Sequence, residues 1–144
     1  MKTLSADKPL HAACVGFPDA AVLILGESGA GKSALALTLM AYGAQLVADD
    51  RVVLRVENSQ IVASAPATIS GLIEARGVGI LNAEFLISAP LSLIVDLDEM
   101  EQDRLPTQRH MTVAGHDLPL LRRVDGLHFA PAILQFLRAG RSER

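Results

Sequence analysis

The decisive stretch is Ala20-Ala21-Val22-Leu23-Ile24-Leu25, followed at once by Gly26-Glu27-Ser28-Gly29-Ala30-Gly31-Lys32-Ser33 and then by Ala34-Leu35-Ala36-Leu37-Thr38-Leu39-Met40-Ala41-Tyr42-Gly43. A short, wholly apolar run suits a strand buried on both faces. Ala, Leu and Met are strong helix formers. Leu35, Leu39 and Tyr42 fall on one helical face, and Gly43 stands where a helix C-cap belongs. The order is therefore strand, glycine loop, helix. The loop matches Gly-x4-Gly-Lys-Ser, and each position has a physical reason. Glycines let the backbone close around a phosphate without Cβ clashes. Successive N–H groups form an anion nest at a helix N-terminus, whose dipole favours negative charge. Lys32 supplies a point charge to the β- and γ-phosphates, and Ser33 offers a hydroxyl to Mg²⁺.

Working outward, His11 to Phe17 reads as a strand that turns at Pro18-Asp19, and residues 1–10 read as a loose N-terminal extension. Gln45 to Ala48 is a strand ending in Asp49-Asp50. Arg51 to Val56 and Gln60 to Ala63 read as a hairpin around Glu57-Asn58-Ser59. Thr68 to Ala75 reads as a short helix and Gly77-Val78-Gly79 as a loop. Leu91 to Leu97 is a central strand, Gln108 to Val113 a late strand, and Ala130 to Arg138 a terminal helix opened by Pro131. Apolar strands mixed with helices predict an α/β fold, and the hairpin makes its sheet mixed.

Composition narrows the function. The chain has 144 residues, 50% hydrophobic and 20% charged, with net charge −3. That is one ordinary domain, rich enough in apolar residues to fold, and not a basic polyanion binder. The aromatic residues are Phe17, Tyr42, Phe85, Phe129 and Phe136, too few for a base-stacking platform, so nucleic acid is not an expected partner. Phe85 to Val95, the longest charge-free apolar stretch, is far short of the ~20 residues of a spanning helix and is split by Pro90. The charged N-terminus is no signal peptide, and the single Cys14 forms no internal disulfide, so a cytoplasmic setting is expected. Cys14 itself reads as a small buried strand residue. His110, His116 and His128 show no ligand spacing.

Phosphoryl transfer needs a carboxylate near the metal and another group to take the nucleophile's proton. The candidates are Asp49-Asp50 and Asp96, with Asp98 and Glu99 behind it. Pattern alone prefers Asp96, which ends the more apolar strand. Neighbouring strand residues face opposite sides, so Asp49 and Asp50 have different roles unless the chain bends there.

Three segments in this order, Gly26-Glu27-Ser28-Gly29-Ala30-Gly31-Lys32-Ser33, Leu46-Val47-Ala48-Asp49-Asp50-Arg51-Val52 and Leu72-Ile73-Glu74-Ala75-Arg76-Gly77-Val78-Gly79-Ile80-Leu81-Asn82, resemble the HPr kinase/phosphorylase family. The resemblance runs from Leu10 to about Asn82 and onward to the strand at Leu97. It implies a single P-loop kinase domain over residues 11–144, similar to the phosphoenolpyruvate carboxykinase type. It implies ATP and Mg²⁺ as cofactors, phosphorylation of a serine on the phosphocarrier HPr, and removal of that phosphate by inorganic phosphate. It places phosphates on Gly26, Glu27, Ser28, Gly29, Ala30, Gly31, Lys32 and Ser33, and Mg²⁺ on Ser33 and Glu74. It makes Asp49-Asp50 the source of the base, with Asp49 favoured, and adds His11 and Arg76 to the catalytic set. Asp96 becomes a structural strand end. Long members carry an N-terminal domain, so the chain reads as a short form, and their hexamers imply a homo-oligomer. Their late Arg-Pro-Gly-Arg-Asn segment has no clear counterpart; Arg109, Arg122 and Arg123 are the arginines nearest to hand. Two other functions fit the same loop: a small-molecule or carboxykinase-like kinase, and a non-catalytic ATP-binding sensor.

Overall fold

The structure is a computed structural model that describes residues 3–142. The strands are β1 (Thr3–Leu4), β2 (Ala13–Phe17), β3 (Ala20–Leu25), β4 (Gln45–Ala48), β5 (Val53–Glu57), β6 (Gln60–Ser64), β7 (Leu72–Ala75), β8 (Gly79–Asn82), β9 (Ala89–Met100), β10 (Arg109–Val113) and β11 (His116–Arg123); the helices are α1 (Lys32–Ala41) and α2 (Phe129–Ala139). The main sheet has the order β1-β10-β11-β9-β3-β2-β4, with the β5–β6 hairpin attached through β6 to β9 and β7–β8 forming a separate ribbon. β3, β9 and β11 run parallel, whereas β2 is antiparallel to both β3 and β4. The sheet is mixed, as the hairpin predicted.

The continuous apolar run of β3 is explained by burial on both faces. Val22 and Ile24 pack with Leu93 and Val95 beneath α1 and α2, against Leu39, Ile133 and Leu134. Ala21 and Leu23 face the other way, with Cys14, Ile94 and Met111, and are covered by Leu54, Ile61 and Ala63 of the β5–β6 hairpin. β2 and β3 join through a tight turn that only a glycine at position 16 admits, since a Cβ there would collide with the Ala20 carbonyl and the Ala21 Cα. Cys14 is fully buried, and burial pushes its thiol far up, so it stays an unreactive thiol. No helix among the described residues is long and apolar enough to cross a membrane.

Several expectations change. Residues 1–10 are not loose over their described part. Thr3 and Leu4 pair with Thr112 and Val113, and Leu10 bridges Val52 by two backbone hydrogen bonds. Thr68 to Ala75 is not a helix. A 3-10 turn at Ala67–Ile69 ends at Ser70, and Gly71 takes φ 73° beneath Phe85, whose ring would lie 2.8 Å from a Cβ there. Beyond it the chain is strand, with Ile73 and Ala75 buried and Glu74 out. β11 escaped notice because Pro119 interrupts it; the proline sits opposite His110 in the β10–β11 hairpin, whose turn is made by Ala114 and Gly115 at positive φ. β9 runs on to Met100, so Asp96 lies inside a strand and is only 4% exposed.

The link between β9 and β10 is held by one carboxylate. Arg109 donates through Nε and Nη2 to the two Glu101 oxygens at 3.1 and 3.0 Å, and the amides of Gln102 and Asp103 donate to the same group. The Arg109 guanidinium, helped by those amides, holds the Glu101 carboxyl below the usual carboxylate range. The folded state therefore binds this proton less tightly than the unfolded chain. Its stabilisation is complete above the ordinary Glu pKa of about 4.3 and is lost as pH falls through the lowered folded value. Glu101→Gln should lower the melting temperature at neutral pH and show a shallower decline than wild type on acidification below pH ~4.3. Parallel declines in melting temperature would remove Glu101 from this role.

Candidate phosphoryl-transfer site

The loop between β3 and α1 begins at the carboxyl edge of the sheet. Gly31, at φ 105°, is the N-cap of α1 and contributes no side-chain cap, so the helix amides at its start stay open to a ligand. Gly29 also has positive φ, and nothing lies within 4 Å of where its Cβ would stand. Both glycines meet the conformational need read from the motif. Lys32 is 8% exposed, and its ammonium donates to the carbonyls of Gly26 at 2.6 Å and Glu27 at 3.0 Å. The lysine thus braces the loop from inside. On the outside, the Glu27 amide donates to Asp98 Oδ1 at 2.9 Å.

β2, antiparallel to β3, and β4, antiparallel to β2 and so running in the direction of β3, bring the remaining groups to the same edge. β2 starts there, just after His11, and β4 ends there at Asp49 and Asp50. Asp49 is 5% exposed, with Oδ1 accepting from the Ser33 hydroxyl at 2.7 Å and Oδ2 from the Glu74 amide at 3.0 Å. One buried carboxylate so ties the start of α1 to β7. Asp50 takes φ 72°. This left-handed turn breaks the strand alternation and brings both carboxylates to one cavity. Asp50 Oδ1 lies 3.2 Å from His11 Nε2, and Oδ2 lies 3.7 Å from Arg51. A non-glycine residue held in this region is typical of functional sites.

The cavity measures about 600 Å³ and takes in His11, Asp49, Asp50, Glu74 and Arg76 together with Ser28, Gly29, Gly31, Lys32 and Ser33. The expected set is therefore gathered in one place, apart from Gly26, Glu27 and Ala30, which do not line it. Arg76 has no ion-pair partner among the described residues and projects from the turn after β7. Arg109, Arg122 and Arg123 do not line the cavity; they pair with Glu101, Glu99 and Asp125. Asp96 is also absent from the lining, which leaves it the structural part expected from the resemblance. Asp98, which the sequence offers only as an acid behind Asp96, touches the loop, a contact that could not be seen without the register of β9 against β3.

The donors fit a hard divalent cation. The Ser33 hydroxyl, the Asp49 carboxylate and the exposed Glu74 carboxylate are oxygen groups around one cavity. Among the described residues no preformed cluster of three or more His, Cys, Asp or Glu exists. Oxygen donors of this kind suit Mg²⁺, which completes its shell with water and substrate phosphates.

The two aspartates make opposite demands on stability. Asp49→Ala leaves a part-buried hydroxyl and an amide without their acceptor, at about 1–3 kcal/mol. Asp50→Gly relieves left-handed strain of about 1 kcal/mol and loses only an exposed pair worth about 0–1 kcal/mol. Thermal denaturation should show a fall of several degrees for Asp49→Ala and little change for Asp50→Gly. Equal losses would contradict this division.

Comparison with known proteins gives the lineage. A family model described as HPr Serine kinase C-terminal domain matches residues 2–120. HPr kinase/phosphorylase of Geobacillus thermodenitrificans (strain NG80-2) is 37% identical over 82% of this chain and 42% of its own length. The protein of the same name from Caldanaerobacter subterraneus subsp. tengcongensis is 39% identical over 66% of this chain and 34% of its own. The solved structure of the Hpr(Ser) kinase/phosphatase from Coxiella burnetii superposes with TM-score 0.75 and 26% identity, covering 92% of this chain and 89% of that one. This chain thus spans less than half the length of these curated relatives, and its α/β fold is that of the solved kinase domain. The loop, the paired aspartates and these matches converge, and the chain belongs to the HPr serine kinase C-terminal domain family.

Proposed function

We propose that this domain transfers the γ-phosphoryl group of ATP to a serine of HPr. The observation that carries the proposal is the single cavity that joins the phosphate loop, Lys32 and the Asp49-Asp50 pair with His11, Glu74 and Arg76. A sensor of ATP needs no proton acceptor at the end of its phosphate site; this cavity has two carboxylates there. Its rim also favours a protein acceptor over a metabolite, since Val78 is 74% exposed and Ile80 65% exposed beside Arg76.

Each residue has a part. The loop amides and the start of α1 hold the phosphates, and Lys32 leaves the Gly26 and Glu27 carbonyls to meet the β- and γ-oxygens. Ser33 and Glu74, with Asp49 behind the serine, would hold Mg²⁺, which would supply positive charge to the phosphates. The acceptor serine enters past Asp50 and His11, and its proton passes to the aspartate pair as the serine oxygen forms its bond to phosphorus and the bond to the β-phosphate oxygen breaks. His11 orients the Asp50 carboxylate, and Arg76 faces the charge spread over the transferring group. With inorganic phosphate as the nucleophile, a phosphate oxygen bonds to the phosphorus of phosphoserine as the serine O–P bond breaks, the aspartate pair returns a proton to the serine oxygen, and pyrophosphate leaves. All of this chemistry belongs in the cytoplasm, where ATP and HPr meet.

Two measurements test the reading. Lys32→Ala should abolish ATP binding detectable by calorimetry; unchanged affinity would remove the loop from the phosphate site. With γ-labelled ATP, Mg²⁺ and HPr, label should appear on a serine of HPr. It should be lost in Asp49→Asn and Asp50→Asn with ATP binding retained. ATP binding without any transfer to HPr would refute the kinase reading.

A further inference from the structure

We propose that Asp98 is a positioning residue for the phosphate loop, and that its carboxylate fixes the orientation of the peptide between Gly26 and Glu27 before any nucleotide arrives. The proposal rests on the reading of the loop as a phosphate site. The peptide in question is held at both ends. Its carbonyl, on Gly26, accepts from Lys32 Nζ at 2.6 Å, and its N–H, on Glu27, donates to Asp98 Oδ1 at 2.9 Å. The two holds differ in kind. The Lys32 ammonium has to give up the carbonyls to reach a β- or γ-phosphate. The Asp98 bond lies on the far side of the loop and stays in place.

The carboxylate also selects one of two orientations. Were the peptide to flip, its carbonyl oxygen would face the Asp98 carboxylate and its N–H would face an ammonium, and both contacts are repulsive. The post itself is rigid. The Asp98 amide donates to Asp96 Oδ1 at 2.9 Å. Asp96 is buried inside β9, in register with Leu25 of β3 on one side and Arg122 of β11 on the other. The close approach leaves no space for a side chain at position 26, where a Cβ would lie 2.9 Å from Ala30 Cβ, 3.3 Å from Leu97 Cβ and 3.6 Å from Asp98 Oδ1.

An independent observation agrees. With its N–H turned to Asp98, Glu27 points away from the phosphate side. Ser28, Gly29, Gly31, Lys32 and Ser33 line the cavity and Glu27 does not. On this proposal the anion-binding amides begin after Glu27.

The test compares wild type, Asp98→Asn and Asp98→Ala. The readouts are calorimetric affinity for Mg²⁺–tripolyphosphate and Mg²⁺–ATP, steady-state kinetics, and amide exchange at Glu27 without ligand. Asparagine keeps the acceptor oxygen and should stay within about twofold of wild type in affinity. Alanine should weaken both ligands equally by about three- to tenfold, raise KM for ATP with kcat held within about twofold, and speed exchange at Glu27. An alanine variant with wild-type affinity and Glu27 exchange would overturn the proposal. So would one that only melts earlier with KM unchanged, or an asparagine variant as impaired as alanine. If wild type itself binds no tripolyphosphate, the phosphate-site reading fails, and Glu27 exchange still decides whether Asp98 holds the peptide.

Discussion

The site depends on one buried carboxylate with two donors. Asp49 accepts from the Ser33 hydroxyl at the start of α1 and from the Glu74 amide on β7, and so joins three segments far apart in sequence. The contact reaches across to β7, whose β7–β8 ribbon lies outside the main sheet. The contact is part-buried, and there an unmatched polar group costs more than a matched one gains. Geometry at the site is therefore enforced by satisfaction of hydrogen bonds and by sheet topology together. The reversed β2 starts at the carboxyl edge of β3 and delivers His11 there, while β4, running in the direction of β3, ends there at Asp49-Asp50.

Strain and bracing are concentrated around the same place. Asp50 sits in the left-handed region and ends the alternation of β4, which is how two adjacent acids come to share a cavity. Lys32 is buried with its charge on two carbonyls, so the side chain holds the loop in its curl from within. A preformed loop lowers the ordering cost of binding.

Much of this was legible before the fold was known. The apolar β3, the glycine loop and the helical run after it are local signals, and all three appear where the residues placed them. The gathering of His11, Asp49-Asp50, Glu74 and Arg76 came from resemblance, since no spacing along the chain reveals that β2 lies between β3 and β4. Helix was misassigned at Thr68 to Ala75, because Gly71 needs a left-handed turn that only the Phe85 ring above it explains. β11 was hidden by Pro119, and Asp98 by a register that exists only between paired strands. What failed to show in the sequence was non-local in each case.

The central claim is that the phosphates of ATP lie over the amides from Ser28 to Ser33 with the γ-phosphate toward Asp49 and Asp50. A crystal structure with Mg²⁺ and a non-hydrolysable ATP analogue tests it most directly. The account predicts triphosphate density against those amides, Lys32 Nζ moved from the Gly26 carbonyl to the β- and γ-oxygens, and metal density beside Ser33 Oγ and Glu74. A nucleotide seated elsewhere, or one bound here with its γ-phosphate turned away from the aspartate pair, would contradict it.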